Sequence, residues 1–130
     1  MDFKNKHILL FSSIFFISLY LSCSSTKPQL QKARENCTAR DIIEYARRLY
    51  SAEYYKDAIK EYKYLIARFP EERELCAWAQ YELAYCYYVM EDYDRAIVEF
   101  KRVSMLYPDQ EAPVILANKM ITEAMLKKNK

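Results

Sequence analysis

Residues 80–108 read QYELAYCYYVMEDYDRAIVEFKRVSMLYP, and residues 42–70 read IIEYARRLYSAEYYKDAIKEYKYLIARFP. At an offset of 38 the two stretches share ten of 29 positions, among them Ala46/Ala84, Tyr50/Tyr88, Tyr55/Tyr93, Ala58/Ala96, Ile59/Ile97 and Pro70/Pro108. Self-similarity at a period of this size marks a helical repeat. The physics of each shared position agrees. Alanine lets two helix backbones approach closely, bulky rings fill the space between stacked pairs, and proline cannot continue a helix.

Composition narrows what such a repeat can do. The 130 residues include no glycine, so there is no phosphate-cradling glycine loop, no GxGxxG turn and no nucleophile elbow. The only histidine is His7, in an N-terminal segment expected to be removed, and this leaves no imidazole for metal or acid–base work. Formal charge is +2, falling to +1 without Asp2, Lys4 and Lys6, so no basic excess points to nucleic acid. The acidic pairs Glu71/Glu72 and Glu91/Asp92/Asp94 sit at helix starts, where capping and the helix dipole account for them. No catalytic residue, metal ligand or cofactor is expected, and the chain does not read as an enzyme.

The register resembles the tetratricopeptide repeat, a helix–turn–helix of 34 residues. That family places a small residue in its first helix (Ala46, Ala84) and a tyrosine opening its second (Tyr55, Tyr93). A small residue (Ala58, Ala96), an aromatic (Tyr62, Phe100) and a closing proline (Pro70, Pro108) follow. The resemblance implies an all-α helical solenoid over residues 39–130: repeats at about 39–72 and 73–110, then a capping helix at about 110–127. A period of 38 rather than 34 adds one helical turn, expected at the N-terminal end of the helix after Pro70. Asp109 is expected to cap the last helix, with Val114, Ala117, Ile121, Ala124 and Met125 facing inward.

Helical phase sorts the 13 tyrosines. At about 100° per residue, Trp78, Tyr81, Tyr85 and Tyr88 share one stripe, while Cys76, Gln80, Leu83, Ala84 and Tyr87 lie opposite. The second set matches the repeat's core, as do Tyr45, Tyr55, Tyr62, Tyr93 and Tyr107. By resemblance, the first set falls where the family holds peptides in a concave groove, and Arg40, Ile43, Arg47, Tyr50 and Ser51 are its counterparts in the first repeat. The candidate groove is therefore Arg40, Arg47, Tyr50, Trp78, Tyr81, Tyr85 and Tyr88, with the two arginines placed to meet a peptide carboxylate or to be simply solvated. The alternative is that the last helix folds over the stripe and makes it core. Cys37 and Cys76, at nearly equivalent points, either pair or remain buried thiols.

Ahead of the repeats, ILLFSSIFFISLYL is an apolar run of fourteen, shorter than the roughly 20 residues that span a bilayer and right for a secretory signal. It runs into Ser22-Cys23, which resembles the lipobox of bacterial lipoproteins, although Tyr20 stands where leucine is usual. That resemblance implies a signal peptide over 1–22, lipidation at Cys23, a tether over 23–38 and, with Ser24 following, anchoring in the outer membrane on its periplasmic face. Lipobox, tether and repeats together are similar to the BamD-like lipoproteins of the β-barrel assembly machinery, most closely over 69–108. The implied partners are a BamA-like, POTRA-bearing barrel subunit and segments of unfolded outer-membrane proteins. Members of that group have about five repeats, and this chain carries two plus a helix. A periplasmic adaptor of the Tol–Pal coordinator or pilus-assembly type shares the same features, and a surface lipoprotein binding host ligands remains a further alternative.

Overall fold

A computed structural model describes residues 36–129, which contain five α-helices and, among these residues, no strand. The signal, Cys23 and most of the tether lie outside the described residues. The helices are α1 (Ala39–Ser51), α2 (Tyr55–Arg68), α3 (Arg73–Val89), α4 (Tyr93–Leu106) and α5 (Glu111–Lys128). Each packs on the next, and α1 with α3 and α3 with α5 make smaller contacts. Residues 37–130 are one compact unit, and its buried cluster runs from Ala39 to Met120, so the unit carries its own core.

Local chemistry sets the helix ends. Thr38 and Asp41 form a capping box at α1: the Asp41 amide donates to Thr38 Oγ1 at 3.2 Å, and the Thr38 amide donates to Asp41 Oδ2 at 2.9 Å. Asp92 caps α4 by accepting from the Arg95 amide at 3.1 Å. Helices α2 and α4 stop two residues short of Pro70 and Pro108. α3 is four residues longer than α1, and the 38-residue register puts the extra turn at its N-terminus.

The elbows within the two repeats are alike. Glu53 and Glu91 sit in the left-handed region at φ 64° and 61°, a conformation glycine usually takes. Around them the amides of Tyr54 and Asp92 reach back to the carbonyls of Leu49 and Tyr87, at 2.9 and 3.0 Å, and complete a Schellman stop. A chain without glycine places glutamate here instead, at an intrinsic penalty of roughly 1–2 kcal/mol per residue.

The core follows the register. Ala46, Ala58, Ala84 and Ala96 are all fully buried, as are Tyr62 and Phe100 between the helix pairs. Gln80 is the one buried polar side chain of the described core, and its amide donates to the Glu99 carbonyl at 3.1 Å and to the Glu99 carboxylate at 2.9 Å. Ala117 and Ala124 repeat the burial of Ala79 and Cys86 at the same offset of 38. α5 therefore sits as the first helix of a third repeat.

Three expectations need correcting, and the reading of Cys76 as a buried thiol holds. Tyr45 is 47% exposed, whereas Leu83 at the equivalent place is 1% exposed; α3 has α2 before it to close that side, and α1 has no described helix before it. Met125 is 43% exposed, although its counterpart Tyr87 is buried, because no described helix follows α5; the inward position goes to Met120. Asp109 makes no cap at α5, whose N-cap is Gln110 and has no side-chain hydrogen bond. Its carboxylate is instead paired with Arg73, at the start of α3, and accepts from Gln110 Nε2 at 2.7 Å. Cys76 is a free buried thiol whose Sγ donates to the Phe69 carbonyl at 3.1 Å, so it forms no bridge to Cys37.

Candidate functional site

The rings of α3 form a connected row. Trp78 meets Tyr81 edge-on with ring centres 6.0 Å apart, Tyr81 stacks on Tyr85 at 6.2 Å, and Tyr85 stacks on Tyr88 at 5.6 Å. Tyr50 of α1 joins the row at Tyr85, 6.2 Å away. Each repeat ties its row to its own elbow in the same way: Tyr50 packs on Tyr55 at 5.4 Å and Tyr88 on Tyr93 at 5.6 Å. Contacts of this kind add about 0.5–1.5 kcal/mol each beyond burial. All four rings of the α3 row and Tyr50 are half-buried. α5 lies chiefly against α4 and makes a smaller contact with α3, with Glu123 near Tyr81.

Beside the row, Arg47, Tyr50, Ser51, Tyr62, Tyr81, Glu82 and Tyr85 enclose a depression of about 350 Å³. Glu82 forms its floor. Arg47 donates to Glu82 Oε1 from Nη2 at 2.7 Å and from Nε at 3.0 Å, and the buried Tyr62 hydroxyl donates to Oε2 at 2.7 Å. Arg47 also donates to Glu44 at 3.0 Å. Glu82 raises the Arg47 guanidinium above its ordinary value, and burial, followed by the Glu82 charge, drives the Tyr62 phenol far above its own. The site is a locked ion pair under a tyrosine wall.

This arrangement revises the two arginines. Arg47 is already held by two carboxylates, so it is not free for a peptide carboxylate. Arg40 stands exposed on the first turn of α1 with no ion partner among the described residues. Ile43, grouped with the groove by phase, is 1% exposed and belongs to the core. Trp78, Tyr81, Tyr85, Tyr88 and Tyr50 are brought together. The residue missed by the phase argument is Glu82, although its recurrence as Glu44 at the 38-residue offset was visible.

Electrostatics give the groove an acidic bias. Burial raises the Tyr81 phenol, and Tyr85, Glu82 and Glu123 of α5 add to the effect. Glu82 and Glu123 thus stand near the Tyr81 ring, whose face is itself electron-rich. The thiols play no part: burial pushes Cys86 up to about 12 and raises Cys76 as well, leaving both protonated and inert at neutral pH. Among the described residues no three histidine, cysteine or acidic side chains cluster to hold a metal. None of the described helices is long and apolar enough to cross a membrane.

The tetratricopeptide-repeat family model matches residues 49–118, from the end of α1 into α5. The chain belongs to the tetratricopeptide-repeat family. No curated protein and no solved structure matches it. Repeats of this family are protein-interaction scaffolds, typically without enzymatic activity.

Proposed function

We propose that this repeat protein is a lipid-anchored periplasmic scaffold of the β-barrel assembly machinery, and that the groove between α1 and α3 receives a segment of a partner protein. The observation that carries the groove is the partly exposed, connected row Trp78–Tyr81–Tyr85–Tyr88, continued by Tyr50. Tyrosine suits such a surface because it offers a large rigid ring while its hydroxyl stays wet or meets peptide backbone. With Arg47 already paired and carboxylates around the rings, the groove favours an apolar or aromatic segment flanked by lysine or arginine, whose cations can lie over tyrosine faces.

The finer placement rests on the sequence: a signal over 1–22, Ser22-Cys23 as lipidation site, a tether to residue 38, and repeats similar to BamD-like lipoproteins. A BamA-like barrel subunit, or an unfolded outer-membrane protein in transit, is the partner this reading names. Cys23→Ala is expected to abolish fatty-acid labelling and to release the protein from membranes; retained labelling would refute the anchor.

For the groove, the test is co-purification of the barrel subunit with three tyrosine variants, read beside thermal melts. Tyr85→Ala is expected to weaken partner binding by about 1–3 kcal/mol with little loss of fold stability. Tyr87→Ala, which removes a core ring lying under Arg95, is expected to destabilise by about 3–5 kcal/mol. Tyr81→Ala should do some of both, because its ring also packs 5.5 Å from the buried Phe100. Equal melting losses in all three, with no separate loss of binding, would refute the groove.

A further inference from the structure

The depression between α1 and α3 already holds a cation of the chain's own. Tyr50, Tyr81 and Tyr85 wall it, and at its floor the Arg47 guanidinium donates to Glu82 Oε1 from Nη2 at 2.7 Å and from Nε at 3.0 Å. The two members of this pair are held unequally. The Glu82 side chain is 21% exposed, and the buried Tyr62 hydroxyl fixes its other oxygen at 2.7 Å. The Arg47 side chain is 43% exposed and has a second acceptor, Glu44, one turn back on its own helix at 3.0 Å. Arg47 can therefore let go of Glu82 and still be paired, while Tyr62 keeps the carboxylate in place. The register agrees. At the offset of 38, Glu82 repeats Glu44, but the place of Arg47 falls to Tyr85 in the second repeat and to Glu123 in α5. Repeat packing does not ask for an arginine there.

We propose that Arg47 is a placeholder for an arginine of the partner segment: the incoming guanidinium takes Glu82 between the tyrosine rings, and Arg47 turns to Glu44. The proposal rests on the groove as the partner's seat and specifies what that partner must carry. Charge favours the exchange. Against the single positive charge of Arg47 stand Glu44 and Glu82, with Glu123 near Tyr81, so the balance is negative before the partner arrives. Guanidinium fits better than ammonium, because Glu82 already accepts two N–H groups of one planar fork and such a plane stacks on aromatic faces. Holding the site with its own side chain lowers apparent affinity, since the form with Arg47 turned away is only a fraction of the population. What it gains is discrimination. An apolar segment without a basic residue has nothing to offer Glu82 in exchange, and leaves the pair closed.

The probe is a short capped peptide with one arginine between apolar residues, compared by calorimetry with its citrulline counterpart, which keeps the shape and loses the charge. The protein is residues 37–130, the unit that carries its own core. The arginine peptide is expected to bind at least about tenfold more tightly than the citrulline peptide, as a hydrogen-bonded charge pair does. Arg47→Ala vacates the site in advance and should tighten the arginine peptide by about tenfold. Glu82→Gln, which still offers Tyr62 an oxygen, should erase the preference for arginine over citrulline. In the native chain the NMR signal of the Arg47 Nε–H should move when the arginine peptide is added and stay in place with the citrulline peptide. Equal binding of the two peptides would overturn the placeholder and leave the groove standing. So would an Arg47→Ala variant that binds the arginine peptide no better than the native chain. Binding of neither peptide would refute the groove itself, and the placeholder with it.

Discussion

The first and last described helices are finished differently. α1 turns a charged surface outward, with Arg40, Asp41, Glu44 and Arg48 all exposed and the Arg48 guanidinium lying 5.7 Å over the ring of Tyr45. α5 turns out Ile115, Leu116, Met125 and Leu126. Both helices bury one stripe against the stack: Ile42, Ile43 and Ala46 in α1; Pro113, Ala117, Met120 and Ala124 in α5. A terminal repeat normally needs a polar outer face, because nothing stacks on it. α1 meets that requirement. α5, the last described helix, has the composition of an interior helix, and the contrast shows that amphipathicity reports how many neighbours a helix is built for.

If both ends are equally bound to the stack, their inner faces should respond alike. Ile43→Ala and Met120→Ala are each expected to destabilise by about 2–5 kcal/mol in denaturant titrations. A loss below about 1 kcal/mol for Met120→Ala would mean that α5 is only loosely held.

Ala84 and Thr122 occupy the same place in the register, one closed by α4 and one open. Ala84→Leu is expected to lose about 1–3 kcal/mol through overpacking, while Thr122→Leu should stay within about 0.5 kcal/mol. Similar losses at both sites would show that the α5 face is not open.

At the elbows, Glu53→Gly and Glu91→Gly should each stabilise by about 0.5–1 kcal/mol, since glycine takes a positive φ without the penalty of a Cβ. Unequal gains would reveal a difference between the repeats that their matching geometry conceals.

The smallest effect is expected from exposed carboxylates at the two ends. Hydrogen bonds from Thr38 hold Asp41 below the usual carboxylate range, and the Arg73 guanidinium does the same for Asp109. A lowered folded-state pKa gives a contribution that is present above the unfolded value, about 3.9, and is lost as pH falls through the folded value. Melting temperature should therefore decline below about pH 4, and less steeply in Asp41→Asn and Asp109→Asn.

Most of the fold was legible because it repeats: two copies of alanine, ring and proline at one offset define which faces meet. Tyr45 and Met125 escaped that logic for a single reason. Their counterparts Leu83 and Tyr87 are buried by helices on either side, and a periodic pattern does not say where the stack stops. In the groove, phase alone gathered the rings. It did not find the Arg47–Glu82–Tyr62 network, whose partners lie 35 and 20 residues apart and meet only after the helices pack. Asp109 was misread likewise, since its partner Arg73 is 36 residues away and a local cap was the simpler inference.

The row of rings also has an optical consequence. Trp78 is the only tryptophan of the chain and stands at one end of a tyrosine series whose members are within about 6 Å of their neighbours. Light absorbed by Tyr81, Tyr85 and Tyr88 will pass to this lone indole by resonance transfer, so the emission of the whole wall is collected at one half-buried site. Anything that seats on the wall and displaces water there should move that emission to shorter wavelength, and the native chain can report occupancy of its own groove without a label.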